Sequence, residues 1–519
     1  MDLCTCNHGY LAMYNVKGIQ QFIFSSDKLK EIIGASEMVE NVVLCNLEKA
    51  MKAVYQDEKI ILSKDIYIQK DAYHHAVADY RFGNDESVKA EIIYQGGGNI
   101  VAVFREKEKM EEVNKLLGAS LLLITPDIVL LTAYVDLSDN YAADQQKLHE
   151  KIQKVTENMP PMNHLRTLPI TMEDAVTGEP LTFTEDRGRK MPTGRYHKLR
   201  TFQNNEAGNS RSYTPESGLM AVIHADGNNM GIAIANSMKG VTSYMDGVRI
   251  IRSISVNVDD FYGKAFDDAV EIIRRNYSNS FRKKNEGFLR KIIHAGDDVT
   301  FLIRADLALP FVEELLRQTE KYCMLENNPD TRFHSCAGIA YVHSHFPISE
   351  AYKVAESLCE SAKKRAKQKD NRDKNGKAMS YLDFHICLSG VTDNLSVLRQ
   401  RQYYSSDSIS LLARPYAVTP GNEPAIEDLD EALRRIRIYP RSKQKGLRDA
   451  YYGSETDLKA ILTAYNSRLA EPEKGIQPDD LFRTIKKGDS ERVARYYDAL
   501  EITDLVAEAE GGNGDEDQN

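Results

Sequence analysis

Three aspartates occupy positions where apolar segments give way to turns. Asp226 stands in Ala225-Asp226-Gly227 after the apolar stretch LMAVIH, and Asp297-Asp298 stands between KIIHA and VTFLIR. Carboxylates that lie close together repel one another and favour a bound cation. Mg²⁺ or Mn²⁺ with such ligands leaves room for triphosphate oxygens and water. The acids therefore predict two ions about 3.5–4 Å apart that activate a ribose 3′-hydroxyl and stabilise a pyrophosphate leaving group.

The elements around the acids are expected to bring them together. GLMAVIHADG predicts a strand that ends in a glycine turn, and LRKIIHAGDDVTFLIR predicts a strand, a tight turn and a second strand. A helix lies between these segments, and FHSCAGIAYVH followed by ISEAYKVAESLCESAKKRAK adds a strand and an amphipathic helix. The order βαββαβ is that of a ferredoxin-like sheet, in which the first strand lies beside the hairpin.

The same order of elements occurs earlier in the chain. LAMYNVKG (11–18) can be laid over MAVIHADG (220–227), and IIYQGGGNIVAVF (92–104) over IIHAGDDVTFLIR (292–304), without gaps. In this alignment Lys17 falls on Asp226, Gly18 on Gly227, and Gly97 and Gly98 on Asp297 and Asp298. We therefore predict an internal duplication in which the second copy keeps its carboxylates and the first copy is a partner surface.

Composition excludes several classes of protein. The 519 residues are 42% hydrophobic and 28% charged, with a net charge of -10, which is typical of a soluble globular protein and argues against wholesale coating of nucleic acid. No apolar run reaches the roughly 18 residues of a membrane span. The lack of a secretion signal and of a disulfide framework predicts a cytoplasmic location. Cys4, Cys6 and His8 have no second ligand pair at zinc-site spacing.

Several motifs resemble one protein family. His294-Ala295-Gly296-Asp297-Asp298 resembles the GGDD hairpin of the palm-domain large subunit of type III CRISPR effector complexes, and more distantly the GGDEF hairpin of diguanylate cyclases. ADGNNMG (225–231) is similar to that subunit's first acidic motif. Residues 18–40, with an expected turn at Gly34-Ala35-Ser36, and residues 337–363 resemble segments of its two palms. The likeness touches most of the chain from about residue 9 to 470.

The element order and the resemblance together predict an α/β (α+β) fold, with two ferredoxin-like palm domains of the nucleotide cyclase type and a helical C-terminal domain. The predicted bounds are 1–140 for a degenerate N-terminal palm-like domain, 141–215 for a linker with a basic run, 216–395 for the catalytic palm, 396–510 for the helical domain and 511–519 for a disordered acidic tail.

The resemblance also implies an activity and its residues. It implies a nucleotidyltransferase that joins nucleoside triphosphates, usually ATP, through 3′–5′ bonds into a cyclic oligonucleotide messenger of antiviral defence. It implies catalysis by Asp226, Asp297 and Asp298, which would hold the metal together with the carbonyl of Gly227. The residues expected to bind nucleotides are Gly227, Asn228, Asn229, Gly231, Gly296 and Lys363 on the second palm, and Gly34 and Ser36 on the first. The expected partners are ATP and other nucleoside triphosphates, RNA or CRISPR-like subunits, and a downstream cyclic-nucleotide receptor.

Some of these positions have a plainer interpretation. Lys363 begins the run KKRAK, which can be a solvated basic face. Ser36 can be a helix cap or a helix–helix contact. The basic run 187–200 could follow an RNA backbone or ligand phosphates, or it could be a solvated linker.

The chain also departs from the family pattern. Asn228 stands where the family often has a second acid, no His-Asp dipeptide marks an HD nuclease domain, and the paired cysteines often found between the palms are absent. A stand-alone relative is therefore one expectation. Two other functions stay open: a catalytically weak nucleotide- or RNA-binding palm protein that acts as a sensor or scaffold, and a diguanylate cyclase-like GTP enzyme that works as a homodimer.

Overall fold

A computed structural model describes most of the chain. The described residues are 8–125, 127–159, 170–175, 178–185, 188–206, 218–281, 287–325, 328, 331–368, 379–387, 394–419, 424–487 and 489–509. Cys4, Cys6 and the predicted acidic tail lie outside these residues, so the predictions made for them stay predictions. Within the described ranges, no helix combines the length and the apolar character that crossing a membrane requires.

The first half of the chain contains one complete set of the predicted elements. In chain order they are β1 (Tyr10–Lys17), α1 (Ile19–Ile23), α2 (Leu29–Tyr55), β2 (Lys59–Ile61), α3 (Ser63–Ile66), β3 (Tyr67–Asp71), β4 (His74–Val77), β5 (Val88–Gly96), β6 (Asn99–Phe104), α4 (Lys107–Ile124), β7 (Val129–Asp136), α5 (Tyr141–Glu157), β8 (Phe183–Thr184), β9 (Lys190–Met191) and α6 (Thr193–Glu206).

The second half repeats the set and adds a C-terminal region. Its elements are β10 (Leu219–Gly227), α7 (Met230–Ser237), α8 (Tyr244–Asn276), β11 (Leu289–Ala295), β12 (Asp298–Arg304), α9 (Ala305–Thr319), β13 (Ser335–His343), α10 (Ile348–Ala366), β14 (Tyr381–Ile386), α11 (Leu395–Gln402), β15 (Tyr416–Ala417), α12 (Ile426–Arg437), α13 (Arg441–Ala450), α14 (Glu455–Asn466), β16 (Phe482–Lys487), β17 (Asp489–Ala494) and α15 (Tyr497–Ile502).

The two main sheets share one topology. The strand order is β2-β5-β6-β1-β7 in the first sheet and β11-β12-β10-β13-β14-β15 in the second. In both, the first strand of the unit lies between the hairpin and the returning strand, and it pairs antiparallel with each. This confirms the predicted mixed fold with two ferredoxin-like sheets. The second sheet continues past residue 395 through β15, and the region predicted to be helical also contains the hairpin β16–β17.

The central strand β10 is buried on both faces. Its side chains alternate between two cores, as the two-residue period of a strand requires. Met220 and Val222 belong to a core that runs into the first sheet, whereas Ala221 and Ile223 belong to a core shared with the C-terminal region. The end of β10 is therefore fixed from both sides.

The register of the duplication differs from the ungapped alignment. Gly18 and Asn229 are equivalent, because each has a left-handed φ, of 68° and 58°, and precedes the helix that follows the first strand. The third residue before each of them is Asn15 in the first copy and Asp226 in the second. The predicted match of Lys17 with Asp226 is therefore wrong by two residues.

The hairpins show a shift of one residue. Each hairpin has one β-bulge at a matching place in its first strand and a turn of two residues. These features place Gly98 and Asn99, and not Gly97 and Gly98, at the positions of Asp297 and Asp298. The slip of two residues in the first strand leaves every side chain on its original face, so alternating apolar residues do not fix that register. The hairpin strands are apolar on both faces, so a slip of one residue preserves their apolar pattern as well. Turns and bulges fix it, and they require the structure.

Two segments differ from the predicted local structure. Residues 34–36, predicted to be a turn, lie inside α2. Part of the basic run, predicted to be a linker, forms α6, which packs on α2. The Nε of Arg195 lies 2.7 Å from Glu31 Oε1, and its Nη1 lies 2.8 Å from Asp174 Oδ2. The buried Lys198 Nζ donates a hydrogen bond to the Phe22 carbonyl. These two cations serve the fold.

Helix α8 joins the two sheets through a buried ion pair. The Nη2 of Arg252 lies 2.7 Å from Oε1 of Glu91 on β5, and both side chains are 0% exposed. The same guanidinium donates hydrogen bonds to the carbonyl groups of Ile93 and Ala78. An element of the second half is thus anchored in the first.

Helix α8 also contacts the turns of both hairpins, β5–β6 and β11–β12. A Cβ atom on Gly96 would lie 3.1 Å from Ser255 Oγ, and one on Gly296 would lie 3.3 Å from Val258 Cγ1. Ser255 and Val258 are three residues apart and therefore lie on one face of the helix, about 4.5 Å apart along its axis. The two turns therefore rest on the same stretch of α8.

Replacing Arg252 with Met would leave the Glu91 carboxylate buried without its cation, and breaking a buried pair in this way costs about 3–5 kcal/mol. We expect the urea unfolding transition of Arg252→Met to move to clearly lower urea concentration. Arg249→Met is the matched control on the same helix, because its partner Asp79 is 70% exposed and the loss should stay below about 1 kcal/mol. Equal destabilisation by the two variants would contradict the role assigned to Arg252.

Candidate active site

Strand pairing brings the three aspartates to one edge of the second sheet. The ladder between β10 and β12 ends with Ala225 opposite Val299. The next residues along the two strands are Asp226 and Asp298, so the two acids adjoin each other where the ladder ends. Asp297 directly precedes Asp298 in the turn. The predicted convergence of the three acids is therefore present.

Two glycines shape the turn that presents Asp297. Gly296 has a φ of 67°, which glycine adopts without steric cost. The Asp297 side chain lies over Gly227, because a Cβ atom on Gly227 would be 2.6 Å from Asp297 Oδ2. Any side chain at position 227 would displace this carboxylate.

Uncompensated negative charge collects among these carboxyl groups. Burial, and then the charge of Asp226, raise the pKa of Asp297 to about 6. Burial, and then the charges of Asp226 and Asp297, raise the pKa of Asp298 to about 7. The Oδ1 atom of Asp298 is buried and has no hydrogen-bond partner among the described residues. The site therefore favours a bound cation.

Lys363 supplies one positive charge. Its ammonium contacts the carboxylate of Asp226, and its side chain is 20% exposed, so its interpretation as part of a solvated basic face is wrong. Burial lowers the pKa of Lys363, but the neighbouring Asp226 charge more than offsets this, and the net pKa is raised. Gly338 lets α10 approach β13 and so positions Lys363, because a Cβ there would lie 2.0 Å from the Ala355 carbonyl oxygen.

The side chain of Asn228 is engaged within the protein. Its amide Nδ2 donates to the Met379 carbonyl at 2.9 Å, and its backbone N–H donates to the His334 carbonyl at 2.7 Å. Asn228 thus ties the end of β10 to the segments that flank β13. An aspartate at position 228 could not donate a hydrogen bond to the Met379 carbonyl oxygen, because an ionised carboxylate carries no proton. This explains why an amide stands at this position.

A cavity of about 980 Å³ lies between the two palms. Its size is at the upper end of the roughly 300–1,000 Å³ that ligand pockets have. Gly231, Gly296 and Asp297 line it from the second palm, and Ser36 and the turn 97–98 line it from the first. Both palms therefore contribute to one space beside the acids.

The other predicted nucleotide contacts do not line this cavity: Gly227, Asn228 and Lys363 lie at the acids, and Gly34 and Asn229 lie elsewhere. A Cβ atom on Gly34 would be 1.8 Å from the Lys198 carbonyl oxygen, so Gly34 permits the close crossing of α2 and α6. Asn229 precedes α7 in a left-handed conformation. Packing explains Gly34, and its contact with a nucleotide stays a prediction that the geometry does not support.

Two polar residues near Asp298 were not predicted. The Nε2 of Gln20, on α1 of the first palm, lies 3.5 Å from Asp298 Oδ2. The Nδ1 of His224 lies 3.4 Å from Asp298 Oδ1 and 3.1 Å from the Thr300 hydroxyl. Burial lowers the pKa of His224 to about 4, so its ring is neutral. Residues two apart in a strand lie on the same face, so the sequence could have indicated that His224 lies on the face of Asp226. No local sequence pattern indicates that Gln20 lies near Asp298.

The donor set fits Mg²⁺ or Mn²⁺. Asp226, Asp297, Asp298 and the carbonyl of Gly227 would supply hard oxygen ligands, and the unpartnered Oδ1 of Asp298 lies among them. In this arrangement Asp226 is paired with Lys363, and no three His, Cys, Asp or Glu side chains of the described ranges are already placed to hold a metal ion.

The fold and the site define a class: two ferredoxin-like palms in one chain, of which the second carries paired acids on its hairpin. Residues 219–374 match the family described as Cas10/Cmr2, second palm domain. The resemblance to the palm-domain large subunit of type III CRISPR complexes is thereby confirmed.

Solved structures share the fold of nearly the whole chain. Csm1 in T. onnurineus is 13% identical, with a TM-score of 0.50, over 97% of this chain and 70% of that one. The Csm1–Csm4 cassette in complex with pppApA has a TM-score of 0.51 at 13% identity, and the apo cassette 0.50 at 12%, both with the same coverage. Similarity at this level of identity establishes the fold. No curated protein matches the sequence.

The raised pKa of Asp298 has a consequence for stability. Its folded value of about 7 lies above the ordinary 3.8, so the folded state holds this proton more tightly than the unfolded state. Ionisation therefore destabilises the metal-free fold as pH rises from about 4 through 7. We expect Asp298→Asn to be more stable than the wild type at pH 8 by about 1–3 kcal/mol, and to differ little from it at pH 4. Chemical unfolding at both pH values, without divalent ions, measures the difference. A constant difference at both pH values would contradict the charge argument.

Proposed function

We propose that this chain is a metal-dependent nucleotidyltransferase that joins nucleoside triphosphates through 3′–5′ bonds, with release of pyrophosphate. The observation that carries the proposal is the convergence of Asp226, Asp297 and Asp298, with excess negative charge, beside a cavity shared by two palms. Three acids placed in this way have no evident structural purpose, since burial and mutual repulsion make them costly to the fold.

Two Mg²⁺ or Mn²⁺ ions, when bound, would activate a ribose 3′-hydroxyl and stabilise the leaving pyrophosphate. Asp226, the carbonyl of Gly227, Asp297 and Asp298 would hold them. Lys363 would leave Asp226 and bind the triphosphate. The Lys363 charge would then be neutralised by Asp226 in the metal-free site and by the triphosphate when the nucleotide is bound. The cavity would exclude water and hold the reacting groups in line, which is the main source of rate enhancement in such transfers.

The first palm would hold the second nucleotide. Asn15 and Asn99 occupy the positions of Asp226 and Asp298, and the Nδ2 of Asn15 donates to the Asn99 Oδ1 at 2.6 Å. This neutral pair binds no cation strongly but can offer hydrogen bonds. One metal-binding palm and one neutral palm support a division into a palm that activates a triphosphate and a palm that holds an acceptor.

The product is proposed to be a cyclic oligonucleotide built from ATP. Structures with the same fold are complexes of the Csm1–Csm4 cassette with pppApA, pppApApA and cA3. These ligands are linear and cyclic adenylates, and they support adenine as the base. Action as a messenger in antiviral defence, through a receptor elsewhere, belongs to the same proposal, as do RNA or CRISPR-like subunits as partners and a cytoplasmic location.

The shared core favours this proposal over a homodimeric cyclase of the diguanylate type. Residues of both palms, such as Val101 in β6 and Val222 in β10, belong to one hydrophobic cluster. The partner palm that a homodimer would supply is already present within the chain. A sensor or scaffold that binds nucleotides without turnover is the remaining rival, and the experiments below distinguish it.

Replacing Asp297 or Asp298 with Asn should abolish pyrophosphate release from labelled triphosphates in the presence of Mg²⁺. The loss should reach at least about 100-fold, because bound metal ions supply several kcal/mol of transition-state stabilisation. Asp449→Asn, in which an aspartate that is 75% exposed is changed, is the matched control and should retain activity. Mass spectrometry of the products from a mixture of all four triphosphates would identify base and ring size. Tight nucleotide binding without turnover by the wild type would instead support the sensor.

Replacing Lys363 with Met should raise the KM for the triphosphate by about 10–100-fold, since a charge-assisted hydrogen bond contributes about 1.5–3 kcal/mol. Lys363→Arg should retain most of the affinity because it keeps the charge. Steady-state kinetics at saturating Mg²⁺ measures both. An unchanged KM in Lys363→Met would show that Lys363 serves only as the partner of Asp226.

A further inference from the structure

A short helix of the first palm reaches the acids of the second palm. Helix α1 follows directly after β1, and the Nε2 of its Gln20 donates a hydrogen bond to Asp298 Oδ2 at 3.5 Å. Lys363, the other side chain that bonds to an acid of the site, belongs to the second palm itself. Gln20 is therefore a contribution from outside the palm that carries the acids.

One face of α1 is turned toward the second palm. Gln20 and Phe24 are four residues apart, and residues with this spacing lie on the same face of a helical segment. The ring of Phe24 stacks on Tyr352 of α10, with the ring centres 4.1 Å apart. The Tyr352 ring in turn lies 5.5 Å from that of His224, the neighbour of Asp298. The second palm thus contacts α1 at two points one helical turn apart.

Helix α6 supports α1 from the side of the first palm. The buried Lys198 Nζ donates hydrogen bonds to the Phe22 carbonyl at 3.1 Å and to Ser25 Oγ at 2.8 Å. The same ammonium lies 4.1 Å from the centre of the Phe22 ring. Phe22 and Ile23 are themselves buried in the core of the first palm. The backbone that presents Gln20 is therefore held from both sides.

The duplicated unit has no reciprocal contact. The second residue of the helix that follows the first strand is Gln20 in α1 and Gly231 in α7. Among the described residues, a Cβ atom on Gly231 would have no neighbour within 4 Å beyond its own stretch of α7. Asn99, the counterpart of Asp298, bonds instead to Asn15 of its own palm. The amide thus reaches across to the palm with the acids, whereas the equivalent position of that palm has no side chain to return the contact.

The contact is made at the accessible oxygen of Asp298. The side chain of Asp298 is 26% exposed, and because Oδ1 is buried, Oδ2 is the carboxylate oxygen that can contribute to this exposure. An ionised carboxylate has about four lone-pair positions, so one N–H donor fixes its orientation and leaves positions for a cation. Groups that hydrogen-bond a ligand carboxylate in this way orient it, and their loss typically weakens metal binding.

We propose that Gln20 is a positioning residue of the acidic site, which holds the Asp298 carboxylate in place for a divalent ion. Its hydrogen bond keeps Asp298 beside Asp226 and Asp297 although the three carboxylates repel one another. The affinity of the second palm for Mg²⁺ or Mn²⁺ then depends on a side chain of the first palm, and loosening α1 lowers this affinity. The inference rests on the proposed function for the presence of the ions, and not for the reaction that they serve.

The experiment measures ion binding, so that it does not depend on turnover. Mn²⁺ is titrated into the full chain without nucleotide, and electron paramagnetic resonance reports the free ion. Asp298→Asn should remove the measured binding, which assigns it to the acidic site. Gln20→Met keeps the length of the side chain but has no N–H group, and its Kd for Mn²⁺ should rise by about tenfold or more. Gln21→Met, at the exposed neighbouring glutamine, is the matched control and should keep the wild-type Kd.

A second variant tests whether α1 acts through Gln20. Phe24→Leu removes the stacking on Tyr352 but stays apolar, and it should also raise the Kd for Mn²⁺. Combined with Gln20→Met it should add little, because both changes remove the same contact with Asp298.

Three results would overturn the proposal: no Mn²⁺ binding by the wild type, an unchanged Kd in either single variant, or full additivity in the double variant. If the Kd values change as expected but the wild type releases no pyrophosphate from triphosphates, the proposed function fails and the positioning role of Gln20 stands. If the wild type releases pyrophosphate and Gln20→Met keeps the wild-type Kd, the positioning role alone fails.

Discussion

The mutual repulsion of three carboxylates at the end of β10 is the constraint on which the rest of the site depends. Two of them, Asp297 and Asp298, have pKa values raised toward neutrality because they are buried beside each other and beside Asp226. Carboxyl groups that repel one another stay together in a folded protein only if the surrounding backbone and side chains hold them in place. Here the surroundings are a two-residue turn, a strand buried on both faces and a lysine on the next helix.

Small residues make this arrangement possible. Gly227 leaves room for the Asp297 carboxylate, and Gly338 allows α10 to reach the sheet closely enough for Lys363 to meet Asp226. Lys363 compensates one of the three charges and leaves the other two uncompensated. The protein thus stabilises the acidic site only partially.

The two palms are similar in fold and opposite in electrostatics. The first has a hydrogen-bonded amide pair, Asn15 and Asn99, where the second has acids. Helix α8 fixes the palms to each other through Arg252 and through its contacts with both turns. The cavity between the palms therefore has one neutral side and one acidic side.

The C-terminal region supports the second palm from the other face. Arg414 is 0% exposed, its Nη1 lies 2.7 Å from Glu501 Oε2, and its guanidinium lies 4.3 Å from the ring centre of Phe384 on β14. Asp383 on the same strand is paired with Arg399, Oδ2 to Nη1, at 2.7 Å. These buried pairs attach the C-terminal region to the sheet that carries the acids.

The sequence by itself determined which acids converge, where the hairpins lie, that the unit is duplicated and what class of fold results. It could do so because strands and tight turns are specified by local residue patterns. It could not determine the register of the duplication, since a period of two does not detect a slip of two residues in the first strand, and hairpin strands that are apolar on both faces do not detect a slip of one. The tertiary structure alone decided that Asn15 and Asn99 replace acids, that Gly34 packs under α6 and that Gln20 reaches Asp298. Each of these facts joins residues that are far apart in the chain, and their contacts depend on how whole elements pack.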